Sequence, residues 1–555
     1  MNESIGINTL VMTGVGSAAL FMAFQKVKTR AELSLAKHKS LAGHPRTAKR
    51  IAALLPSYRY DASQVFGLDG APPDVVAQRQ AAFERLVATI GQRFPATLAA
   101  GASVVEGLSD LQFVSAYRVP FQFRGLVDRG LKIGSFLQTS DGVTVTDLDG
   151  NVLYDLTGSY GVNLFGNDFY KACIDEGADA VRALGPVLGA YHPVMVDNVQ
   201  RVKRVSGMDE LSFHMSGTEA VMQAVRLARY HSGRKKIVRF CGSYHGWWGD
   251  VQPGIGNPMV AKDTYTLSEM AEGTLRVLRK RTDIACILLN PLQALHPNAA
   301  APSDSSLMDG SRKAAYSREK YTAWLKTLRS ICDEKGIALI FDEVFVGFRL
   351  APGGAQEYFG VKADMVIYGK TLGGGLPIGV LCGKRAWMRR FRDDKPADIC
   401  FARGTFNSHP YVMGAMNVFL KRLDNQDIRA LYQNIDATWN DRAYHLNKRL
   451  TEAGIAVQVA NMSSIWTVLY TQPGCYHWLF QHYLRLEGLA LSWVGTGRII
   501  FSLNYTNADF EEVSQRFVSA AKAMQADGWW WHDGAQTHKT IKRRIMGELL
   551  AAKFW

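Results

Sequence analysis

The sequence has few cysteines, no repeats and no charged residue between Ile5 and Phe24, and each absence excludes a class of protein. Its seven cysteines are odd in number and form no CxxC pair, which argues against a disulfide framework or a zinc ribbon and fits a reducing compartment. With 47% hydrophobic and 21% charged residues, the composition is that of an ordinary globular protein. A mean hydropathy of −0.08 excludes many membrane spans but not a single anchor.

The net charge of +14 lies mainly at the two ends of the 555-residue chain. Residues 26–50 carry +7 and residues 528–555 carry +3, whereas residues 51–527 carry only +5. Basic ends indicate an anionic partner, either a lipid surface or a nucleic acid. The basic runs lie beside apolar segments and form no groove-reading motif, so a membrane surface is favoured and no nucleic acid is expected.

The uncharged stretch Ile5–Phe24 is long enough to span a bilayer, whose ~30 Å hydrocarbon core needs about 20 helical residues. Only Glu3 precedes it and basic residues follow, which is the reverse of a secretory signal peptide. The positive-inside rule then predicts a single N-terminal anchor, with the rest of the chain at the cytoplasmic face of the inner membrane. Its glycines and polar residues make the span weak, and a buried or interfacial helix is the alternative.

From about residue 205, short apolar runs alternate with helical patterns, which is typical of a buried parallel sheet in an α/β protein. Helices are predicted at 218–231 and 321–335, and a β-hairpin at 142–157 around Asp149-Gly150. The strands are predicted at Leu211–His214, Ile237–Phe240, Ile284–Leu289, Ile337–Phe341, Met365–Tyr368 and Ile378–Cys382.

Two of these strands are followed by residues that suit a carbonyl cofactor. Asp342 and Glu343 follow the strand at 337–341, and ligands of open α/β sheets bind beyond the carboxyl ends of strands. Lys370 follows the strand at 365–368 and precedes three glycines, where a desolvated lysine is a nucleophile for aldehydes. A lysine and a carboxylate are what pyridoxal phosphate needs, although a helix cap or a surface pair also explains the two acids.

Further segments suit the phosphate and the ring of such a cofactor. Met215–Ala220 opens the predicted helix at 218–231, and small residues there offer free N–H groups to an anion or simply cap the helix. Gly242–Gly246 follows a strand and offers an aromatic face, although its histidine equally suits a packed loop. Gly404–Phe406 adds a loop hydroxyl that is uninformative by itself.

Taken in order, these segments resemble the class III pyridoxal-phosphate aminotransferases, with the closest likeness to the glutamate-1-semialdehyde aminomutase branch. The resemblance covers about residues 120–510 and implies the fold type I of these transferases: a large, mostly parallel-sheet domain plus a small α+β domain. The predicted N-terminal membrane-anchor helix is added to that fold. The motifs that carry the resemblance are SGTEA (216–220), YHG (244–246), LIFDEVFVGFR (339–349), GGAQEYFGV (353–361), GKTLGGGLPIG (369–379) and GTFNSHP (404–410).

The resemblance implies two catalytic residues and a set of cofactor contacts. Lys370 would bind the cofactor aldehyde and move the proton, and Asp342 would keep the ring nitrogen protonated. Tyr244 and Val344 would pack on opposite faces of the ring, and Thr405 would reach phosphate across a homodimer interface. The complete set of implied cofactor-binding residues is Ser216, Gly217, Thr218, Tyr244, His245, Asp342, Val344, Lys370 and Thr405.

The chain departs from the family pattern at several places. Asn290 stands where the family usually has the glutamate of a Glu-Pro pair, and Ala294–Ser317 looks like an insertion. The first hundred residues have no counterpart in the soluble enzymes, and no arginine for a substrate carboxylate is evident. The predicted activity is amino transfer from an amino-acid donor to an apolar or lipid-like aldehyde or ketone at the membrane. The alternatives are an aminomutase acting on a small amino-aldehyde, and a membrane-bound assembly partner without turnover.

The C-terminal tail combines the tryptophans of Trp529–His532 with basic residues and a terminal Phe554-Trp555. Such residues favour a membrane interface, and the alternative is that the tryptophan cluster packs on the small domain. The predicted divisions are an anchor and linker (1–50), an N-terminal segment with part of the small domain (51–200), a cofactor-binding large domain (201–409), a C-terminal small domain (410–527) and a tail (528–555).

Overall fold

The computed structural model describes residues 3–38, 43–117, 119–132, 136–252, 254–259, 261–291, 317–491 and 498–554. The strands are β1 (Leu137–Asp141), β2 (Thr144–Asp147), β3 (Val152–Asp155), β4 (Glu210–His214), β5 (Lys236–Phe240), β6 (Thr264–Leu267), β7 (Ile284–Leu289), β8 (Ala338–Asp342), β9 (Met365–Gly369), β10 (Gly379–Gly383), β11 (Phe391–Arg392), β12 (Lys395–Ile399), β13 (Val457–Met462), β14 (Ile465–Tyr470), β15 (Leu489–Ala490) and β16 (Arg498–Ile500).

Helices flank these strands throughout the described residues. They are α1 (Glu3–Ala36), α2 (Pro45–Ala52), α3 (Pro73–Arg93), α4 (Pro95–Val104), α5 (Ser109–Tyr117), α6 (Arg124–Asp128), α7 (Asn167–Val181), α8 (Val194–Ser206), α9 (Gly217–Ser232), α10 (Glu272–Lys280), α11 (Arg318–Lys335), α12 (Gly354–Phe359), α13 (Arg385–Met388), α14 (Pro410–Arg422), α15 (Gln426–Ala430), α16 (Ile435–Glu452), α17 (Phe480–Leu486), α18 (Asn507–Ala526) and α19 (His538–Phe554).

The largest sheet has the strand order β4-β10-β9-β8-β7-β5-β6. Strands β5 to β9 pair in parallel, whereas β10 runs antiparallel to both β4 and β9. Strands β7 to β10 are buried along their whole length because helices cover both faces. Leu288 and Ile340 on one face of the sheet pack in a hydrophobic cluster with α9, whereas Leu339 on the other face packs in a hydrophobic cluster with α11.

The predicted strands and helices of this sheet are present, with three differences. The expectation of parallel pairing is wrong for β10, because its direction is a matter of topology that an apolar run does not encode. β6 was not predicted, because Thr264–Leu267 is a short edge strand in which polar residues alternate with apolar ones. The strand predicted at Ile378–Cys382 begins and ends one residue later, at Gly379–Gly383. The hairpin at 142–157 is confirmed as β2 and β3, which pair antiparallel in a sheet ordered β1-β2-β3-β15.

The predicted membrane anchor lies within α1, and the structure does not support a spanning helix there. Among the described residues, no helix is long and apolar enough to cross a membrane. The physical reason is composition, since Gly6, Gly14, Gly16 and several hydroxyl or amide side chains dilute the apolar run. The C-terminal part of α1 instead packs on α10, where Glu32 pairs with Lys280 at 2.6 Å, and its last carbonyl, that of Ala36, accepts from the N–H of Ser268 after β6 at 2.9 Å.

The segment before β1 and the C-terminal tail pack together against the body of the chain. Arg79 of α3 is fully buried, pairs with Asp69 at 2.7 Å and donates to the carbonyl of Gly528 at 2.8 Å. Trp529 is 1% exposed and its Nε1 donates to the Tyr483 hydroxyl at 2.7 Å. The tryptophan cluster therefore packs on the protein, which is the alternative to the predicted membrane interface, because Trp529 and Trp530 are buried and the Trp529 indole finds a hydrogen-bond acceptor here.

The C-terminal helix α19 is likewise docked. Ile541 is 1% exposed, and Glu548 accepts hydrogen bonds at 2.8 Å from the hydroxyls of Tyr58 and Tyr60. Arg544 bonds the Leu68 carbonyl and pairs with Glu548. The apolar face that Ile541 begins is thus turned toward the protein, and the basic residues of the tail partly serve to hold its helix in place.

Candidate active site

Asp342 is the last residue of β8, and the structure buries its carboxylate beside a histidine. Only 3% of Asp342 is exposed, and its Oδ2 lies 2.7 Å from Nδ1 of His245. Burial lowers the pKa of His245, which leaves the ring neutral with its Nδ1 proton donated to the carboxylate. His245 Nε2 is buried and has no hydrogen-bond partner among the described residues. Oδ1 of the same carboxylate accepts from the N–H of Val344 at 3.2 Å, so both oxygens are oriented by neighbouring residues.

Lys370 follows β9 and starts a 3-10 turn at Lys370–Gly373. Its φ of 49° lies in the left-handed region, which is strained for a residue with a side chain and is often found at functional sites. Burial lowers the pKa of its amine to about 8, opposed by Asp342 and assisted by Arg498 and Arg349. Nζ lies 5.4 Å from the ring centroid of Phe345. The amine is therefore a far better nucleophile near neutral pH than a surface lysine.

The lowered pKa of Lys370 predicts how the cofactor-free protein takes up pyridoxal phosphate. A protonated amine cannot attack an aldehyde, so attachment should accelerate as pH rises, with a midpoint near 8 rather than the 10.5 of an ordinary lysine. Stopped-flow absorbance between pH 6 and 10 measures this rate. A midpoint above about 10 would contradict the burial that the structure gives this amine.

The predicted phosphate segment opens α9 as a close-packed turn. Ser216 is the N-cap, and its side chain accepts from the N–H of Glu219 at 3.3 Å. A Cβ at Gly217 would lie 2.8 Å from Cγ2 of Val344, so only glycine lets this turn approach the end of β8. Gly246, with φ of 88°, packs in the same way on Thr218. The first N–H groups of α9 are thus brought next to the loops that carry Asp342 and His245.

Tyr244 is held by its main chain and not by its ring. The side chain is 63% exposed, whereas its N–H donates to Oδ1 of Asn290 at 3.1 Å. Asn290 Nδ2 in turn donates to the main-chain oxygen of Asp342 at 3.3 Å. The exposed Tyr244 ring is available to stack on a bound group. Asn290, the uncharged residue at the position of the family's usual glutamate, links the loop of Tyr244 to the loop after β8.

Two charged residues of the motif 339–349 have structural partners. Glu343 is fully buried and accepts from the N–H groups of Ala355 and Gln356 at the start of α12, and burial raises its pKa to about 8. Arg349 is also buried and donates to the Phe501 carbonyl and to Ser464 Oγ, both at 2.8 Å. Both residues therefore tie the β8 loop to its surroundings.

One predicted residue is not joined to this cluster and one useful residue was missed. Thr405 is exposed, and among the described residues it makes no hydrogen bond to the other predicted cofactor-binding residues. Arg498 of β16 is half-buried, its charge lowers the pKa of Lys370, and its Nε has no hydrogen-bond partner among the described residues. Because Arg498 lies in a short strand of the C-terminal part, no local signal links it to Lys370.

The described residues fit pyridoxal phosphate by their own chemistry. A buried amine with a lowered pKa, a buried carboxylate, an exposed aromatic ring and an open helix N-terminus meet at one edge of the sheet. Val344 bridges these groups, since it touches the positions of both Gly217 and Gly369. The amine suits the aldehyde of the cofactor, and the carboxylate suits its pyridinium nitrogen. The aromatic side chain suits the cofactor ring, and the helix N-terminus suits the phosphate.

The chain is similar to known proteins in sequence and in fold. The sequence model of class-III aminotransferases matches residues 128–249 and 318–520. A glutamate-1-semialdehyde 2,1-aminomutase of Geotalea daltonii is 31% identical over 423 residues, which are 70% of this chain and 91% of the relative. A solved transaminase with PLP bound has a TM-score of 0.60 and 26% identity, over 71% of this chain and 92% of that chain.

A second solved structure shares the fold at lower identity. It is a glutamate-1-semialdehyde aminomutase from Pseudomonas aeruginosa, with a TM-score of 0.64 and 17% identity over 81% of this chain and 99% of that chain. The family match leaves out residues 250–317 and everything before residue 128. The predicted insertion Ala294–Ser317 falls in that gap, and all of it except Ser317 lies outside the described residues.

Proposed function

Because the chain belongs to the class-III aminotransferases, fold type I enzymes that use pyridoxal 5′-phosphate, we propose that it moves an amino group from an amino-acid donor to a carbonyl acceptor. The observation that carries the proposal is the buried amine of Lys370, which is electrostatically coupled to the buried carboxylate of Asp342. This pair supplies the two groups that amino transfer needs from the protein.

The residues of the cluster divide the work between them. When bound, the cofactor supplies an aldehyde for the amino group and a ring that delocalises the electron pair left on the substrate carbon. Lys370 holds the aldehyde and then takes and returns the proton at the substrate carbon. Asp342, oriented by His245, keeps the ring nitrogen protonated. Val344 and Tyr244 pack on the two ring faces.

The phosphate is assigned to the start of α9. Ser216, Gly217 and Thr218 offer main-chain N–H groups and hydroxyls there, and the positive end of the helix dipole favours an anion. Glycines at 217 and 246 allow the close approach that this binding mode needs.

We further propose that the substrate carries a carboxylate. Arg498 and Arg349 both act on the pKa of Lys370, but Arg349 already donates to Ser464 Oγ and to carbonyl groups. Arg498 Nε is buried and has no partner among the described residues, and a buried guanidinium is matched best by a carboxylate. Phe345 beside Lys370 suits an apolar body. An oxo acid with an apolar chain suits both Arg498 and Phe345. The class of acceptor expected from the sequence, an apolar aldehyde or ketone, is thereby narrowed to an apolar oxo acid.

The experiment compares two acceptors of equal length, an oxo acid and an alkyl aldehyde, after a screen for the amino donor. Arg498→Ala should raise the KM for the oxo acid about 10- to 100-fold more than the KM for the alkyl aldehyde, because only the oxo acid loses a charged hydrogen bond. Arg498→Lys should restore part of the loss. Equal losses on both acceptors would contradict the carboxylate assignment. Isomerisation of a small amino-aldehyde without any added acceptor would favour the aminomutase alternative.

The working unit we propose is a homodimer in which Thr405 completes the phosphate site of the partner subunit. Thr405 is exposed, and Phe401 and Phe406 beside it are 70% and 52% exposed, which is unusual for large apolar side chains outside an interface. A mixture of Lys370→Ala and Thr405→Ala chains should regain cofactor affinity at the site that combines the two intact residues. No gain in the mixed dimers would contradict a role across the interface.

We also infer that α1 lies on a membrane surface without crossing it. Leu20, Phe21, Met22 and Phe24 are each at least 59% exposed, and consecutive helical residues point to all sides. These exposed apolar side chains favour a nonpolar phase, and the basic Lys26 that follows them favours anionic headgroups. The full chain should co-sediment with anionic vesicles and a chain lacking residues 1–25 should not. Equal sedimentation of both would exclude α1 as the contact.

A further inference from the structure

Asn290 joins the two loops that the proposed function assigns to the cofactor ring. It follows β7, which is buried along its whole length, so its position is fixed by the centre of the sheet. Its Oδ1 accepts from the N–H of Tyr244 at 3.1 Å, and its Nδ2 donates to the main-chain oxygen of Asp342 at 3.3 Å. One amide therefore bridges the residue at the ring face and the residue at the ring nitrogen.

The Tyr244 loop needs such a support. The Tyr244 side chain is 63% exposed and receives little packing from its surroundings. Gly242 and Gly246 flank it with φ of 80° and 88°, and glycine gives a chain freedom at both hinges. The hydrogen bond from His245 to Asp342 ties this loop to β8, and the bond from Tyr244 to Asn290 ties it to the end of β7. Arg239 of β5 holds the start of the loop by its bonds to Ser243.

A neutral amide can make both bonds of Asn290, and an ionised carboxylate cannot. The amide offers one acceptor and one donor, whereas a carboxylate would face the Asp342 carbonyl with a second oxygen. A carboxylate would also place a negative charge next to Asp342, whose charge already acts on Lys370. The charge at position 290 therefore matters for the ionisation of the site as well as for its geometry.

We propose that Asn290 is a positioning residue that holds Tyr244 over the cofactor ring in register with Asp342 and keeps this edge of the sheet free of a second negative charge. The inference rests on the roles that the proposed function gives to Tyr244 and Asp342. Asn290 lies outside the predicted set of cofactor-binding residues. Its role would explain why an asparagine stands where the family usually has a glutamate.

The first test measures binding of pyridoxal phosphate to the cofactor-free protein by absorbance. Asn290→Ala should weaken binding about 10-fold, because two hydrogen bonds that order the site are lost. Tyr244→Leu should then cost much less in the Asn290→Ala background than in the wild type, since the ring is already out of register. Equal costs of Tyr244→Leu in both backgrounds would overturn the proposal.

The second test separates charge from geometry in the holoenzyme. Asn290→Asp keeps the shape and adds the charge, so it should raise the pH midpoint of the bound cofactor's absorbance change by about half a unit or more, whereas Asn290→Ala should leave the midpoint in place. An unshifted midpoint in Asn290→Asp would overturn the electrostatic part of the proposal.

The chain offers a matched control for these variants. Asn447 also bridges two elements with one amide, bonding both the N–H and the carbonyl of Val459. Asn447→Asp should lower thermal stability and change neither cofactor affinity nor the midpoint; matching shifts in Asn447→Asp would overturn the proposal. All readouts are independent of turnover. A protein that shows these effects but transfers no amino group would contradict the proposed function and support this inference.

Discussion

Replacing Lys370 with alanine is expected to lower amino transfer by at least about 10³-fold and to remove the visible absorbance of the lysine-bound cofactor. In the proposed function the amine at this position both holds the aldehyde and moves the proton, so no neighbouring residue is expected to replace it. Its lowered pKa of about 8 is the property that suits it to both tasks. Steady-state rates and absorbance spectra of the purified variant measure the two losses together.

Two companion variants separate chemistry from folding. Lys370 has a φ of 49°, and the left-handed region costs a residue with a Cβ about 1–2 kcal/mol more than glycine. Lys370→Gly should therefore be more stable to urea than Lys370→Ala and equally inactive. Lys362→Ala, at an exposed lysine on the approach to β9, should keep full activity. Full activity of Lys370→Ala, or an unchanged absorbance band, would reject the assignment of this lysine.

Replacing Asp342 with asparagine is expected to lower the rate of amino transfer about 10²- to 10⁴-fold while the cofactor stays attached to Lys370. Asparagine keeps the size of the side chain but cannot hold a proton on the ring nitrogen by its charge. Without that proton the ring is a weaker acceptor of electrons, so removal of the substrate proton should become slow. Single-turnover kinetics with a donor amino acid measure this step directly.

The adjacent Glu343 provides the control for Asp342. Burial raises the pKa of Glu343 to about 8, so its carboxyl is largely neutral at pH 7 and replacement by glutamine removes little charge. Glu343→Gln should therefore transfer amino groups within a few-fold of the wild-type rate. If Glu343→Gln lost as much activity as Asp342→Asn, the two carboxyl groups would have to exchange their assigned roles.

The motifs and strand ends were predictable from the sequence because their signals are local. The strand at Ile284–Leu289 has the predicted bounds, and Asp342 and Lys370 stand at strand ends as expected. An apolar run of this length followed by polar residues and glycines leaves few alternatives in an α/β protein. The cluster of His245 with Asp342 follows from the same rule, since carboxyl ends of parallel strands meet at one edge.

The predictions at the two ends of the chain were less successful, because composition does not reveal partners. An uncharged stretch of twenty residues suggested a membrane span, but its polar residues dilute the apolar character of α1. The tryptophans near residue 530 suggested a membrane interface, and Trp529 instead packs on Tyr476 and Tyr483. Homodimer formation, the domain boundaries and the role of Thr405 stay predictions.

The sequence by itself determined the family and the cofactor and predicted the pair Lys370 and Asp342, because each rests on local motifs along the chain. Only the tertiary structure decided which distant residues act on that pair. Arg498 lies 128 positions after Lys370, and Asn290 lies 52 positions before Asp342, yet both act on the same few side chains. Such contacts depend on strand order and on the docking of the C-terminal part, which no local pattern of residues encodes.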